Sequence, residues 1–238
     1  MTEKLFMTDP YLQEAPGRVA QITREGGIIL DRTIFYAEGG GQPGDAGTLA
    51  WAGGETAIAT ARKGEGGTVV LMPADSATLP PEGADLTQRL DWDRRHRHMR
   101  MHTALHLLSV IVPLPVTGGA IGAEKSRLDF AMENPPEDKA ALEDQLNALA
   151  ARDLPVTEEW ITDAELEANP GLVKTMSVKP PSGAGRVRLV RIGPEPDSVD
   201  LQPCGGTHVR TTGEIGELRI GKVEKKGRLN RRINLHLV

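Results

Sequence analysis

Asp91-Trp92-Asp93-Arg94-Arg95-His96-Arg97-His98-Met99-Arg100-Met101-His102-Thr103-Ala104-Leu105-His106-Leu107-Leu108-Ser109-Val110-Ile111-Val112 is the stretch in which the hydrophobic period of this chain changes. From Arg95 to Val112 the apolar residues Met99, Ala104, Leu107, Leu108 and Ile111 recur at helical spacing. Pro113 and Pro115 then stop the helix, because proline has no amide hydrogen to continue the ladder. Upstream the pattern is different. Short β-like runs at Arg18–Ile22, Gly27–Asp31, Thr48–Trp51, Thr56–Ala61 and Thr68–Met72 alternate with glycine-rich turns, which predicts a small antiparallel barrel or sandwich. Pro73 to Asp85 is rich in Pro, Gly and Asp and is expected to be a loop.

Downstream the signals are mixed. Pro136 to Asp153 reads as a helix with Ala141, Leu142, Leu146 and Leu149 on one face. A shorter helix begins at Thr162, where Glu165 three residues on completes a capping box. Strands are expected over Gly119–Phe130, Val156–Ile161, Val187–Ile192, Gly216–Val223 and Arg231–Val238. Runs of strands followed by this mixture place the chain in the α+β class, with one domain over residues 1–90 and a second over 91–238.

Composition sets outer bounds. The 238 residues are 39% hydrophobic and only 3% aromatic, so the core must be built from Leu, Val, Ile and Ala. No apolar run reaches the ~18 residues of a membrane-spanning helix. Residues Met1 to Tyr11 carry Glu3, Lys4 and Asp9 and lack a signal peptide's apolar stretch. One cysteine forms no internal disulfide, which fits a reducing cytoplasm. The net charge of -5 is uneven: residues 1–90 hold 7 Lys/Arg against 12 Asp/Glu, and the remainder holds 21 of each. Two basic stretches stand out in the second half. One contains Arg94, Arg95, Arg97 and Arg100; the other contains Arg219, Lys222, Lys225, Lys226, Arg228, Arg231 and Arg232, opposed only by Glu224. Such patches can hold phosphates even on an acidic protein.

The chemistry concentrates in two spaced pairs. His102 and His106 lie at i and i+4 inside the predicted helix, so their imidazoles stack on one face. Cys204-Gly205-Gly206-Thr207-His208 repeats that separation with a thiolate and an imidazole across a glycine turn. Three nitrogens and one sulfur suit tetrahedral zinc. His98, one turn before His102, is a spare candidate ligand. Four protein ligands also fit a purely structural ion, since catalytic zinc usually keeps a position open. A third signal is Gly39-Gly40-Gly41-Gln42. Consecutive glycines let backbone N–H groups approach a ligand, and Gln42 offers both a donor and an acceptor; a plain hairpin loop is the simpler alternative.

With these residues in view, the chain resembles the AlaX family of alanyl-tRNA editing proteins, the free-standing relatives of the second additional domain of alanyl-tRNA synthetase. Besides the two ligand pairs, the resemblance includes Thr33-Ile-Phe-Tyr36 with the glycine motif, Asp91-Trp-Asp-Arg-Arg95, Ser126-Arg-Leu-Asp-Phe130, Gly213-Glu-Ile-Gly216 and Lys226-Gly-Arg-Leu-Asn-Arg-Arg232. Ala37-Glu38 departs from it, where a proline is expected soon after the tyrosine. The resemblance implies a small N-terminal antiparallel β-barrel followed by an α+β editing domain with helices packed on an antiparallel sheet. It implies zinc held by His102, His106, Cys204 and His208, and hydrolysis in trans of tRNA(Ala) mischarged with serine or glycine. Candidates to meet the substrate are Gly39, Gly40, Gly41, Gln42, Thr103 and, favoured by the resemblance for the serine hydroxyl, Thr117. The acceptor stem would lie on Arg94, Arg95, Arg97, Arg100, Lys222, Lys225, Lys226, Arg228, Arg231 and Arg232. Two rivals remain open: a general aminoacyl- or peptidyl-tRNA ester hydrolase built around Gly39–Gln42, and a non-catalytic, zinc-stabilised RNA-binding module.

Overall fold

The computed structural model describes residues 1–173 and 185–238. The chain forms two compact units, Met1–His96 and Arg97–Val238; the sequence placed the division after residue 90.

The first unit contains β1 (Glu3–Lys4), β2 (Glu14–Ile22), β3 (Ile28–Leu30), β4 (Arg32–Thr33), β5 (Gly47–Trp51), β6 (Gly54–Lys63), β7 (Val69–Pro73) and β8 (Asp85–Leu90). Six of these close into a barrel in the order β2-β3-β7-β6-β5-β8, with every neighbouring pair antiparallel. Alternation along the strands sends Val19, Ile28, Leu30, Leu49, Ile58, Val69 and Leu71 into the interior, and a register shift between Ile58 and Thr60 brings Ala61 in as well. The closing strand β8 was not expected from the sequence. Its inward positions are Leu86 and the buried Gln88, and the polar residue hides the alternation. Gln88 is tolerated because it is fully engaged: Oε1 accepts from the Thr33 hydroxyl at 2.8 Å and Ile34 N–H at 3.2 Å, and Nε2 donates to the carbonyls of Pro16 and Arg32. A buried polar side chain costs little only when paired in this way.

The helix α1 (Trp92–Ile111) starts where Asp91 Oδ1 accepts the backbone N–H of Arg94, an N-cap arrangement, and ends before Pro113. Beyond it lie β9 (Val116–Ala120), β10 (Lys125–Ala131), α2 (Lys139–Ala150), β11 (Val156–Thr162), α3 (Asp163–Ala168), β12 (Arg186–Ile192), β13 (Asp200–Pro203), β14 (Leu218–Gly227) and β15 (Asn230–Leu237). These strands form a four-stranded sheet ordered β14-β15-β10-β9 and a three-stranded sheet ordered β11-β12-β13. The single strand expected over Gly119–Phe130 is a hairpin, β9 paired antiparallel with β10. The capping box at Thr162 and Glu165 is present with both halves made.

Helix α2 guards an exposed sheet edge. Leu142, Leu146 and Ala150 bury its apolar face. On the same side Asn147 Nδ2 donates to Leu218 O at 2.8 Å, Leu218 N–H donates to Asn147 Oδ1 at 2.9 Å, and Ile220 N–H donates to Glu143. These are the free backbone groups of β14, which would otherwise template pairing with another chain. The unit is therefore an α+β arrangement whose helices cover antiparallel sheet. Among the described residues, no helix is long and apolar enough to cross a membrane.

Candidate metal centre

Four donor atoms, one each from His102, His106, Cys204 and His208, lie within 4.8 Å of one another. Helix α1 supplies the two histidines, on one face and one turn apart. The loop after β13 supplies Cys204 and His208. Cys204 Sγ is 3.4 Å from His102 Nε2 and 3.2 Å from His208 Nε2. Zn–N bonds of about 2.0 Å and a Zn–S bond of about 2.3 Å at tetrahedral angles separate N and S by roughly 3.5 Å, so the donors fit zinc with adjustments of a few tenths of an ångström. His98 is not in this group.

Electrostatics favour ligation. Burial alone would raise the Cys204 thiol, but the neighbouring His102 pulls it well below its ordinary value, and the Gly206 N–H points at its sulfur from 3.4 Å. Thiolate is the ligating form. His208 is held down to about 3, first by burial and then by His102, and so stays neutral. His106 behaves oppositely. Burial works against its charge, yet the hydrogen bond with Asp200 and the proximity of Cys204 outweigh burial and raise it to about 9 in the metal-free site.

The loop holding Cys204 and His208 is clamped from behind. Arg188 on β12 is buried, and its Nη1 donates to the carbonyls of both Cys204 and Gly206 at 2.8 Å. Its other terminal nitrogen pairs with Glu158 on β11. Sequence reasoning missed Arg188, and it missed Asp200 and Gln202, which stand behind His106. The last two carried a usable signal: Asp200, Gln202 and Cys204 share one parity, so an extended strand places them on one face. Arg188 carried none, because its partners are backbone carbonyls.

The remaining candidates separate clearly. Thr103 is wholly buried, and its hydroxyl bonds Met99 O at 3.0 Å, His208 Nδ1 at 3.1 Å and Val209 N at 3.3 Å. One hydrogen and two lone pairs are all that a hydroxyl has. The Thr103 side chain thus stands behind His208 and braces its ring. Thr117 on β9 is half-buried; its hydroxyl donates to Asp129 O and accepts from Asn230 Nδ2, both at 3.1 Å. In the first unit, Gly39 and Gln42 exchange two backbone hydrogen bonds of 3.0 Å, while Gly40 and Gly41 both take positive φ, 60° and 82°. That is the two-residue hairpin turn for which glycine is the default. Its tip, Gly40 and Gly41, is exposed and Gln42 is buried.

The basic residues also divide. Arg95 is 1% exposed. Its Nε sits 2.9 Å from Asp45 Oδ2, and its terminal nitrogens reach Asp45 again and the carbonyls of Pro10 and Ile34. That set makes Arg95 an internal brace of the first unit. Arg231 is likewise buried, donating to the carbonyls of Gly227, Asn230 and Glu133. Arg232 pairs with Asp129 at 2.8 Å, and Arg100 Nε donates to Ile215 O. Arg94 is half-buried, whereas Arg97, Lys222, Lys225, Lys226 and Arg228 are exposed. The β14–β15 hairpin thus carries its braces at 231 and 232 and its solvent-facing charge at 222–228.

Comparison with known proteins follows the same division. Residues 187–234 match the family described as the threonyl and alanyl tRNA synthetase second additional domain, and residues 10–94 match class II (A) tRNA synthetases. The chain is 35% identical to the alanyl-tRNA editing protein AlaX-M of Methanosarcina barkeri, aligned over 100% of both chains. It is 34% identical to the protein of the same name from Saccharolobus solfataricus, over 98% of each. It is also 37% identical to the alanine–tRNA ligase of Pyrobaculum arsenaticum, over 94% of this chain and 25% of the ligase. The chain therefore spans about a quarter of the length of the ligases it matches.

Proposed function

Because this chain belongs to the AlaX-M family of alanyl-tRNA editing proteins, we propose that it hydrolyses the ester joining a wrong amino acid, serine or glycine, to tRNA(Ala). The observation that carries this reading is the convergence of His102, His106, Cys204 and His208 on one point.

Those four residues would hold a zinc ion. Bound there, zinc would supply Lewis acidity and a fixed point for orienting the aminoacyl group. The chain's own residues have the harder task of discrimination. Serine differs from alanine by one hydroxyl, and a site that hydrogen-bonds that hydroxyl rejects alanine because its own polar groups are left unpaired when alanine enters. Thr117 is our candidate for this contact, its hydroxyl held in a fixed orientation between Asp129 O and Asn230 Nδ2. The exposed N–H groups of Gly40 and Gly41 are candidates to meet oxygen atoms of the substrate. Lys222, Lys225, Lys226, Arg228, Arg94, Arg97 and Arg100 are candidates for the acceptor-stem phosphates. The reaction would place the protein in the cytoplasm, where charged tRNA is used.

A set of four protein ligands also suits an ion that only staples the fold, which is the rival reading. Deacylation of Ser-tRNA(Ala) and Ala-tRNA(Ala) by the native protein and by Cys204→Ala separates the two. Loss of serine alone, abolished in the variant, supports editing. A folded, zinc-loaded protein that hydrolyses neither substrate rejects it in favour of an RNA-binding module. Activity that survives Cys204→Ala would point to an ester hydrolase independent of the metal.

A further inference from the structure

Strand β13 carries Asp200 and Gln202, and Cys204 follows with the same parity. Asp200 and Gln202 are both buried. Asp200 Oδ2 lies 2.8 Å from His106 Nδ1 and accepts from Gln202 Nε2 at 2.8 Å. An ionised carboxylate only accepts hydrogen bonds, so Nδ1 of His106 carries a hydrogen toward Asp200, and an ion must be met through Nε2. Thr103 imposes the same choice on His208 by different chemistry. The Met99 carbonyl and the Val209 amide can act only as acceptor and donor respectively. The Thr103 hydroxyl therefore gives its single hydrogen to Met99 O, and its contact with His208 Nδ1 must run from ring to hydroxyl. His208 is thereby left with Nε2 bare, 3.2 Å from Cys204 Sγ.

We infer that Asp200 and Thr103 are positioning residues for the metal. They hold a hydrogen on Nδ1 of His106 and of His208, so that each ring is oriented to offer Nε2 to the ion. This rests on the metal centre proposed above. The two supports are unequal, since Asp200 is an anion that Gln202 holds in place and Thr103 is neutral. Outer groups of this kind set ring orientation and ligand basicity.

The experiment measures zinc affinity of the full chain by competition with a chromophoric chelator, for native protein, Asp200→Ala, Asp200→Asn and Thr103→Val. Circular dichroism checks folding, and ¹⁵N chemical shifts of the imidazoles in the zinc-loaded native protein report which nitrogen carries hydrogen. Asp200→Ala should lose about 10–100-fold in affinity. Asp200→Asn keeps an acceptor oxygen and loses only charge, so its loss should be smaller, and Thr103→Val should fall several-fold. The ring shifts should show hydrogen on Nδ1 of both His106 and His208. If Asp200→Ala does not fold, Asp200→Asn and the ring shifts decide. Native affinity in a folded Asp200→Ala, or hydrogen on Nε2 of His106, overturns the inference and leaves the metal centre standing. A native protein that takes up no zinc overturns both.

Discussion

Replacing Arg95 by methionine should destabilise the first unit strongly without removing a phosphate contact. The substitution keeps an unbranched side chain in the space and deletes the guanidinium. Asp45, itself 1% exposed, then loses its ionic partner. Removing one member of a buried ion pair costs about 3–5 kcal/mol, because the other charge is stranded. Two effects bound the figure. The carbonyls of Pro10 and Ile34 also lose their donor, at up to about 1–3 kcal/mol each if they stay dry. Against this, Asp45 still accepts the Tyr36 N–H at 2.6 Å and can take up a proton. A loss of about 4 kcal/mol is a large part of the ~5–15 kcal/mol that stabilises a typical domain. For a unit of this size each kcal/mol shifts Tm by about 4–8 °C, so the fall should exceed about 12 °C. Of the three tryptophans, Trp51 and Trp92 lie in Met1–His96 and Trp160 does not. In a Trp160→Phe background, fluorescence during guanidinium unfolding therefore reports the first unit alone. Replacing Asp45 by asparagine in the same chain should recover part of the loss, since no charge is then stranded. At temperatures where the variant is folded, the salt dependence of tRNA binding should match that of native protein. An unchanged unfolding midpoint, combined with a shallower salt slope, would refute the reasoning and restore Arg95 as an RNA ligand.

Single alanine replacements of Lys225, Lys226 and Arg228 should each weaken tRNA binding and reduce the slope of log affinity against log salt by about 1; filter binding at several salt concentrations checks this. The same change at Arg231 should lower the unfolding midpoint of the second unit instead. Thr117→Val should let Ala-tRNA(Ala) be deacylated alongside Ser-tRNA(Ala), and unchanged selectivity in a deacylation assay rejects its role as the hydroxyl contact. Asp129 gives a pH signature. Burial pushes its carboxyl up, but hydrogen bonds from Arg232 and Arg127 outweigh burial and hold it below the ordinary 3.8. A carboxylate lowered in the folded state contributes stability above its unfolded value, and this is lost as pH falls through the lower folded value. Asp129→Asn should therefore be less stable than native at neutral pH, with the gap narrowing below about pH 4; a constant gap in denaturant titrations across that window counts against the assignment.

What was readable in the sequence was whatever a short local pattern encodes. His102 and His106 announce themselves by a one-turn spacing, and Cys204 with His208 by repeating it across glycines. The Thr162 capping box and the end of α1 before Pro113 depend on neighbours a few residues away. What stayed hidden depends on partners distant in the chain. Gln88 disguised β8 because a polar residue was not expected inside a barrel, and its four partners come from residues 16 to 34. Arg95 and Arg231 lie in basic runs that look like surface charge. Only the fold reveals that each is surrounded by oxygen acceptors. Arg188 grips the ligand loop through carbonyl groups, which every residue possesses and no motif can mark.

The two halves of the ligand set enter the chain at very different times. His102 and Cys204 are 102 residues apart, while His102 and His106 are neighbours on one helix. During folding the helical pair can form as soon as α1 does, but two imidazoles make an incomplete site. The second pair stands on the loop after β13, which is paired with β12 and held by Arg188. An ion held by all four would close a loop of about a hundred residues, which by chain entropy alone restricts the unfolded ensemble by about 4–5 kcal/mol. An ion held there would thus commit the fold of the second unit, and chelation should open that unit to limited proteolysis.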